Sequence, residues 1–570
     1  MNAGMRSLCV TTLLIAPLML LQACEMTQEA ENPQFNIVEA SIPELQAALA
    51  DGRVTSRELV TQYLVRIGLY DHKLNAAVSI NPNALMLADE LDAERAAGNL
   101  RGPLHGIPVA VKDNIHTATD MPTTGGTLAL RDYWPPYDAT LVENLKDAGA
   151  IILAKSTLTE LANWMAGPPT QMVSGYNAIA GQSYNPYDPR AYPNGEPLLD
   201  TGGSSSGIGV AANMWAGSVG TDTGGSVMSP TNANMLAGLR PSTGRISRYG
   251  IIPVTLDQDT AGPMTKSVAG VAIMLGALEG KEPDPNDPAT TFCEPPENND
   301  YTPFLDANAL KGARIGIPRL GVTDPLRLPG TEVDRKGLRA DEAEVMAEAI
   351  AALEAAGAVV VDPADFPSLT TTDPEENYAL RRICQTGGPS GVNETCSIVF
   401  NYGAKRDFNL WIETLGDTAP FDSLTDLRNW NLENRNLGTL RYNQSRLDSS
   451  DFTDLEADRT RYESDLALGL EMSREKGIDA VLETHNLDAL MFPATGAAQF
   501  ASRAGYPGMV VPFGMVTNPR NANDPEMADV RNRPFGVSFT GPHCSDGRML
   551  AIAYAFEQAT KKRVPPASTP

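Results

Sequence analysis

Apolar positions along the chain follow two periods in turn, and the switching between them indicates the fold class. From Ile42 to about Asp71, Leu45, Leu49, Leu59, Tyr63, Leu64 and Ile67 recur at helical spacing, with Thr55 or Ser56 as the cap of a second helix. Leu104–Val111 and Ala150–Leu153 are short apolar runs ending in polar residues, as buried strands do. Leu141–Ala148, stopped by Gly149, predicts the helix between them. Val210–Ala216 holds small residues and no charge, which predicts a buried helix. A second run of this kind covers Ala307–Val361, with strand at Ala313–Ile317, helix at Asp341–Ala356 and strand at Ala358–Val361. Residues 368–476 are richer in Asn, Arg and aromatics and read as a helical insertion or cap. Leu487–Phe492 and Met509–Pro512 return to strand character, and Arg548–Gln558 predicts a closing amphipathic helix. Strands alternate with helices throughout, so the class is α/β, with strand direction open.

The N-terminus changes the picture of where such a domain works. Met1–Cys24 reads as an export signal: Arg6, then a largely apolar Leu8–Leu21, then a polar stretch from Glu25. The apolar run is short for a membrane span. Leu21-Gln22-Ala23-Cys24 resembles the lipobox of bacterial lipoproteins, although Gln22 is larger than the usual residue there. Lipidation of Cys24, with membrane attachment, and ordinary signal cleavage both stay open. The expected organisation is a signal over 1–24, a linker over 25–34 and one domain over 35–570. The expected location is outside the cytoplasm: periplasmic, outer-membrane lipoprotein or secreted. Acids outnumber bases 70 to 44, a net charge of −26, and such a surface repels phosphate backbones, so no nucleic-acid partner is expected. Cys384 and Cys396 bracket a Gly/Pro-rich loop and would bridge in an oxidising compartment. The five histidines show no ligand spacing and there is no CxxC or HExxH, so neither metal nor cofactor is expected.

Candidate chemistry concentrates in Thr201–Pro230, where two glycine-serine clusters flank a small-residue segment. Dense glycines let backbone N–H groups converge on one point. A serine after Gly224-Gly225 would place its hydroxyl beside such a cluster, as acyl transfer requires. Serine also needs a base. Lys112 ends the apolar run Gly106–Val111, and burial there could hold it neutral, a shift of roughly 3 pKa units or about 4 kcal/mol.

These residues carry a family resemblance. GIPVAVKDNI (106–115), GGSSSG (202–207) and GTDTGGS (220–226) resemble the three marks of the amidase signature family. Asn185-Pro186-Tyr187, Gly238–Pro241 and Gln258–Pro263 match as well, from about residue 35 to the C-terminus. Residues 478–496 and 553–560 are similar to bacterial peptide amidases. The resemblance implies a mixed β-sheet core covered by helices on both faces, with a helical insertion. It also implies a Ser-cisSer-Lys triad: Ser226 as acyl-forming nucleophile, Ser204 as the bridging serine at a cis peptide, Lys112 as ultimate base. The oxyanion hole would be the backbone N–H groups of Thr223, Gly224, Gly225 and Ser226. The interval from Ser204 to Ser226 is a couple of residues short near Ile208-Gly209, which keeps Ser205 and Ser206 open as the bridging residue. Val227-Met228 stands where the family often has Ile-Arg.

The reading is therefore an exported, cofactor-free amidohydrolase acting on C-terminal peptide amides or small amides. Aryl or fatty acyl amides, or esters, are the alternative within the family. From another class comes a non-catalytic lipoprotein that binds amides or peptides. Gly203–Gly207 also satisfies the G-x-S-x-G pattern, which would make Ser205 a nucleophile served by His543.

Overall fold

Two capping boxes start the chain. Ser41 accepts from the Glu44 N–H while the Glu44 carboxylate accepts from the Ser41 N–H, opening helix Ile42–Ala50. Thr55 and Glu58 repeat the arrangement for helix Ser56–Leu74, so Thr55 is the cap. The computed structural model describes residues 35–118, 121–384, 396–522 and 531–570. The signal and linker expected over 1–34 lie outside them. Residues from Asn36 to Pro570 form one compact unit.

Among the described residues, eleven strands make a single sheet. In chain order they are β1 (Ala77–Ile80), β2 (Pro108–Lys112), β3 (Ile151–Ser156), β4 (Gly217–Asp222), β5 (Ala237–Arg240) and β6 (Thr260–Thr265). Then follow β7 (Arg314–Gly316), β8 (Val359–Val361), β9 (Ala489–Pro493), β10 (Gly508–Thr517) and β11 (Asn532–Thr540). Their order across the sheet is β1-β3-β2-β4-β6-β5-β10-β11-β9-β7-β8. The sheet is mixed: β2 runs parallel to both β3 and β4, and β7 parallel to β8 and β9, whereas β4 to β6 and β6 to β5 are antiparallel. Strand β2 thus lies between two strands with every residue buried, which is why it reads as an unbroken apolar run.

Helices pack around the sheet, among them Val268–Leu278 against β6, and Ala340–Ala355 and Asp546–Thr560 against β10. Val268–Leu278 is apolar on almost every side, so it shows no amphipathic period. In the stretch expected as an insertion, the described residues form helices Val399–Glu413, Leu424–Glu433, Ser445–Asp451 and Arg459–Ser473. Trp411 there is core, packed with Leu161, Met165 and Leu427, and its indole N–H donates to His116 Nε2 at 3.0 Å.

One element moves. The small-residue helix expected at Val210–Ala216 runs instead over Ser205–Ala211, capped by Ser204 and followed by Asn213 at φ +57°. Absence of charge signals burial but not where a helix begins; the cap and the left-handed Asn set that. Residues after Asn213 lead into β4. Strand β6 was not expected because TAGPMT carries Gly262 and Pro263, both poor strand residues. Gly262 is required: a Cβ there would lie 2.1 Å from the Leu239 carbonyl oxygen of β5.

Two disulfides tie the fold, Cys384–Cys396 and Cys293–Cys544, the latter joining residues 251 apart. Closing so long a loop restricts the unfolded chain more than the 12-residue bridge does. Replacing Cys293 and Cys544 together by Ser is expected to lower stability by about 2–5 kcal/mol. Denaturant unfolding of oxidised wild type and of the double variant measures the difference, and equal midpoints would show that the bridge adds nothing.

Candidate active site

Lys112 is the last residue of β2 and is 1% exposed. Its ammonium donates to Thr221 of β4, to Oγ1 at 2.8 Å and to the carbonyl at 3.2 Å. Asn114 Nδ2 reaches the same Oγ1 at 3.1 Å. Burial pulls the Lys112 pKa down to about 8, against the opposing charges of Asp222 and Asp259. A second lysine, Lys155, stands beside it on β3, also buried and also pulled down to about 8 by desolvation. Its nitrogen lies 3.8 Å from Asp113 and donates to the Ile115 carbonyl and Thr123. These contacts fix Lys155 in the turn after β2.

The glycine loop after β4 is held by its own first residue. Asp222 accepts from the N–H of Gly225 at 2.7 Å and of Val227 at 2.8 Å. Its carboxylate is paired at 2.8 Å with Arg240, both side chains fully buried. Arg240 also donates to the Asp222 carbonyl and to the Gln258 carbonyl, and Ser502 Oγ lies 3.2 Å from Asp222 Oδ1. Thr223 Oγ1 donates to Asp259, whose other oxygen accepts from Val254 and Thr255. Burial raises Asp259 to about 7. Gly225 sits at φ +114°, and a Cβ there would meet Ala498 at 3.2 Å, so both conformation and space call for glycine.

This pinning bears on the expected oxyanion set. The Gly225 N–H is engaged by Asp222, whereas among the described residues those of Thr223, Gly224 and Ser226 have no protein acceptor. Gly224 is exposed, with open space where a side chain would be. Ser226 is half-buried beside it.

Ser204 caps helix Ser205–Ala211, its hydroxyl accepting from the Ser206 N–H at 3.2 Å and donating to Ser206 Oγ at 3.0 Å. Ser206 Oγ in turn is 2.7 Å from Ser156 Oγ, and Ser156 is the sheet partner of Lys112. The Ser205 hydroxyl turns to Thr157 and Ser183. On the other side, a Cβ at Gly202 would fall 2.4 Å from the Pro230 nitrogen, and one at Gly207 2.7 Å from its carbonyl oxygen. The Ser204 loop is therefore clamped between the end of β3 and the segment that follows Ser226. Among the described residues no hydrogen bond joins the three expected catalytic residues directly: Lys112 is on Thr221 and Ser204 on Ser206, and Ser226 follows the loop that Asp222 pins. The expected cis peptide at Ser204 is also absent; the cis bonds among the described residues are Pro168–Pro169 and Asp362–Pro363. Ser204 is extended, at φ −152°.

Thr221, Asp222, Arg240 and Asp259 carry the site's support, and their part was not read in the sequence, although each falls within a quoted motif. His543, the base an esterase would need, stacks on Tyr506 beside the Cys293–Cys544 disulfide. With His543 those two cysteines form the one cluster of metal-ligating side chains among the described residues, and their sulfurs are bonded to each other.

The chain is similar to known amidases over most of its length. The family model described as Amidase matches residues 58–550. A probable amidase of Arabidopsis thaliana is 30% identical over 558 residues, covering 97% of this chain and 96% of its own. A glutamyl-tRNA(Gln) amidotransferase chain of Rhodopirellula baltica is 39% identical over 285 residues, half of this chain and 53% of its own. Among solved structures, the native peptide amidase from Stenotrophomonas maltophilia superimposes with a TM-score of 0.77 at 34% identity, over 93% of this chain and 98% of that one. A peptide amidase in complex with the competitive inhibitor chymostatin gives 0.78 at 33%, over 93% and 100%. A buried lysine behind a carboxylate-pinned glycine loop thus sits in a chain that belongs to the amidase signature family and is a hydrolase of amide bonds.

Proposed function

We propose that this amidase cleaves linear carboxamides, C-terminally amidated peptides or small amides, through an acyl intermediate on Ser226. The Ser226 hydroxyl attacks the carbonyl carbon. Its proton moves to Ser204 as Ser204 passes its own to the neutral Lys112 amine. The oxyanion accepts from the free N–H groups among Thr223, Gly224 and Ser226. The C–N bond breaks as the proton returns along the same route to the leaving amine, and water then attacks the acyl group by the same sequence to release the acid. Ser204 and Lys112 reach this arrangement by leaving their contacts with Ser206 and Thr221.

The observation that carries the reading is Lys112: a lysine shut off from solvent and displaced to about 8, so that an appreciable fraction is neutral near pH 7. The loop beside it supports the reading, because its free amides are fixed by Asp222 before any substrate arrives. The peptide amidases among the structural relatives support the substrate class. Export belongs to the same proposal. The chain leaves the cytoplasm through residues 1–24 and works in the periplasm, at the outer membrane through a lipidated Cys24, or as a secreted enzyme. Two disulfides suit an oxidising compartment.

Release of ammonia from a C-terminally amidated dipeptide tests the chemistry. Ser226→Ala and Lys112→Met, the latter chosen to keep volume, are each expected to lower kcat by about 10³-fold or more. Ser204→Ala should do the same, with Ser205→Ala and Ser206→Ala much milder. A Lys112→Met enzyme within about tenfold of wild type would remove lysine from the mechanism.

The base works deprotonated, so activity must rise with pH through the lysine's own pKa. kcat/KM is expected to climb about tenfold per pH unit well below 8 and to level off above it. A flat profile between about pH 6 and 9 would contradict a lysine base.

A further inference from the structure

Beside the glycine loop lies a cleft of about 290 Å³. Gly224 is among its lining residues, and Tyr378, Ile383 and Phe400 form apolar wall. Its distinctive feature is charge: Arg335, Arg381, Arg382 and Arg503 line it, and among the described residues no Asp or Glu does. In a chain with 70 acids against 44 bases, a cleft lined by four arginines and by no described acid runs against the composition of the whole.

Arg335 and Arg503 meet no carboxylate among the described residues. Arg335 donates to the Gly321 carbonyl and, at 2.6 Å, to Gln499 Oε1, both neutral acceptors. Arg503 donates to the Arg381 carbonyl at 3.3 Å and lies 4.4 Å over the Tyr378 ring. Arg381 has a carboxylate partner, Glu375 at 3.3 Å, but that side chain is 80% exposed, and exposed pairs of this kind hold weakly. Asp465, in the adjoining space, accepts from the Ile398 N–H at 3.0 Å and pairs with Arg461 at 3.7 Å. Arg335, Arg381 and Arg503 are half-buried; a guanidinium partly withdrawn from water gains from an arriving anion, and its fork matches a carboxylate. Burial already holds Arg335 below its usual range.

The cleft is also coupled to the catalytic loop by position. Helix Ala498–Ala504 supplies Ala498, against Gly225, and Ser502, against Asp222, while its Gln499 and Arg503 hold the cationic side. An acyl group at Gly224 would lie against the same helix that presents the charge.

We propose that the cleft selects amides whose acyl part carries a carboxylate, such as an amidated peptide with an acidic residue next to the scissile amide, read by Arg335, Arg381 and Arg503. This deepens the amidase reading above and rests on it. Three matched peptide amides test it on the wild-type enzyme: N-acetyl-Ala-Glu-NH2, the same peptide with Met, similar in size and uncharged, and the same with Lys. The expected order of kcat/KM is Glu, Met, Lys, with Glu ahead of Met by about 10–100-fold. Arg503→Gln and Arg335→Gln should bring the Glu-to-Met ratio to within about threefold of unity, with the change in KM rather than kcat. Equal rates for Glu and Lys, or a ratio unmoved in both variants, would overturn the proposal. If none of the three peptides is turned over, the peptide-amide part of the proposed function fails. Calorimetric binding then still decides the cleft: tighter binding of the Glu peptide upholds the anion site, and equal binding of all three overturns it.

Discussion

A single buried ion pair organises the site. Asp222 ends a fully buried strand, and its carboxylate would be costly there without Arg240 at 2.8 Å. Once paired, its remaining lone pairs gather the N–H groups of Gly225 and Val227. That gathering turns the chain sharply through Gly225, leaving the amides on either side of it free. Removing one member of such a pair costs about 3–5 kcal/mol, because the other is left charged in the core. The loop's shape is therefore fixed as firmly as the core itself. Arg240 does this from β5.

The same sheet explains the lysine. Strand β2 has neighbours on both edges, and Lys112 at its end reaches across to Thr221 of β4. Only neutral oxygens meet its nitrogen directly, and the carboxylates Asp222 and Asp259 act at longer range. Desolvation outweighs them. Lys155 undergoes the same burial but meets Asp113 within 3.8 Å, so two lysines on adjacent strands reach similar pKa values in different company.

Much of this was legible from residue pattern alone. The runs at Leu104–Val111 and Ala150–Leu153 became β2 and β3, and the run Ala307–Val361 became β7, a helix and β8. Quoted motifs located the lysine and the serine clusters because glycine density and an apolar run ending in a cation are local signals. What stayed hidden depends on partners far along the chain. Nothing within the Gly238–Pro241 motif says that its arginine will neutralise Asp222, and nothing near Gly225 says that its N–H will be taken. The buried helix starts earlier than its pattern predicts for a related reason: Ser204 reads as chemistry in the sequence, and it also serves as a cap. The cationic cleft was invisible for the same cause, since Arg335, Arg381 and Arg503 meet only through folding.

The Cys293–Cys544 bridge has a further effect on how the molecule withstands cleavage of its backbone. It encloses the exposed stretch around Glu332–Asp334 and most of the chain beyond it. A protease that nicks the backbone once anywhere inside that span produces two pieces still held by a covalent bond. Helix Asp546–Thr560 stays with the half that contains β2 and β4, so a clipped enzyme need not fall apart.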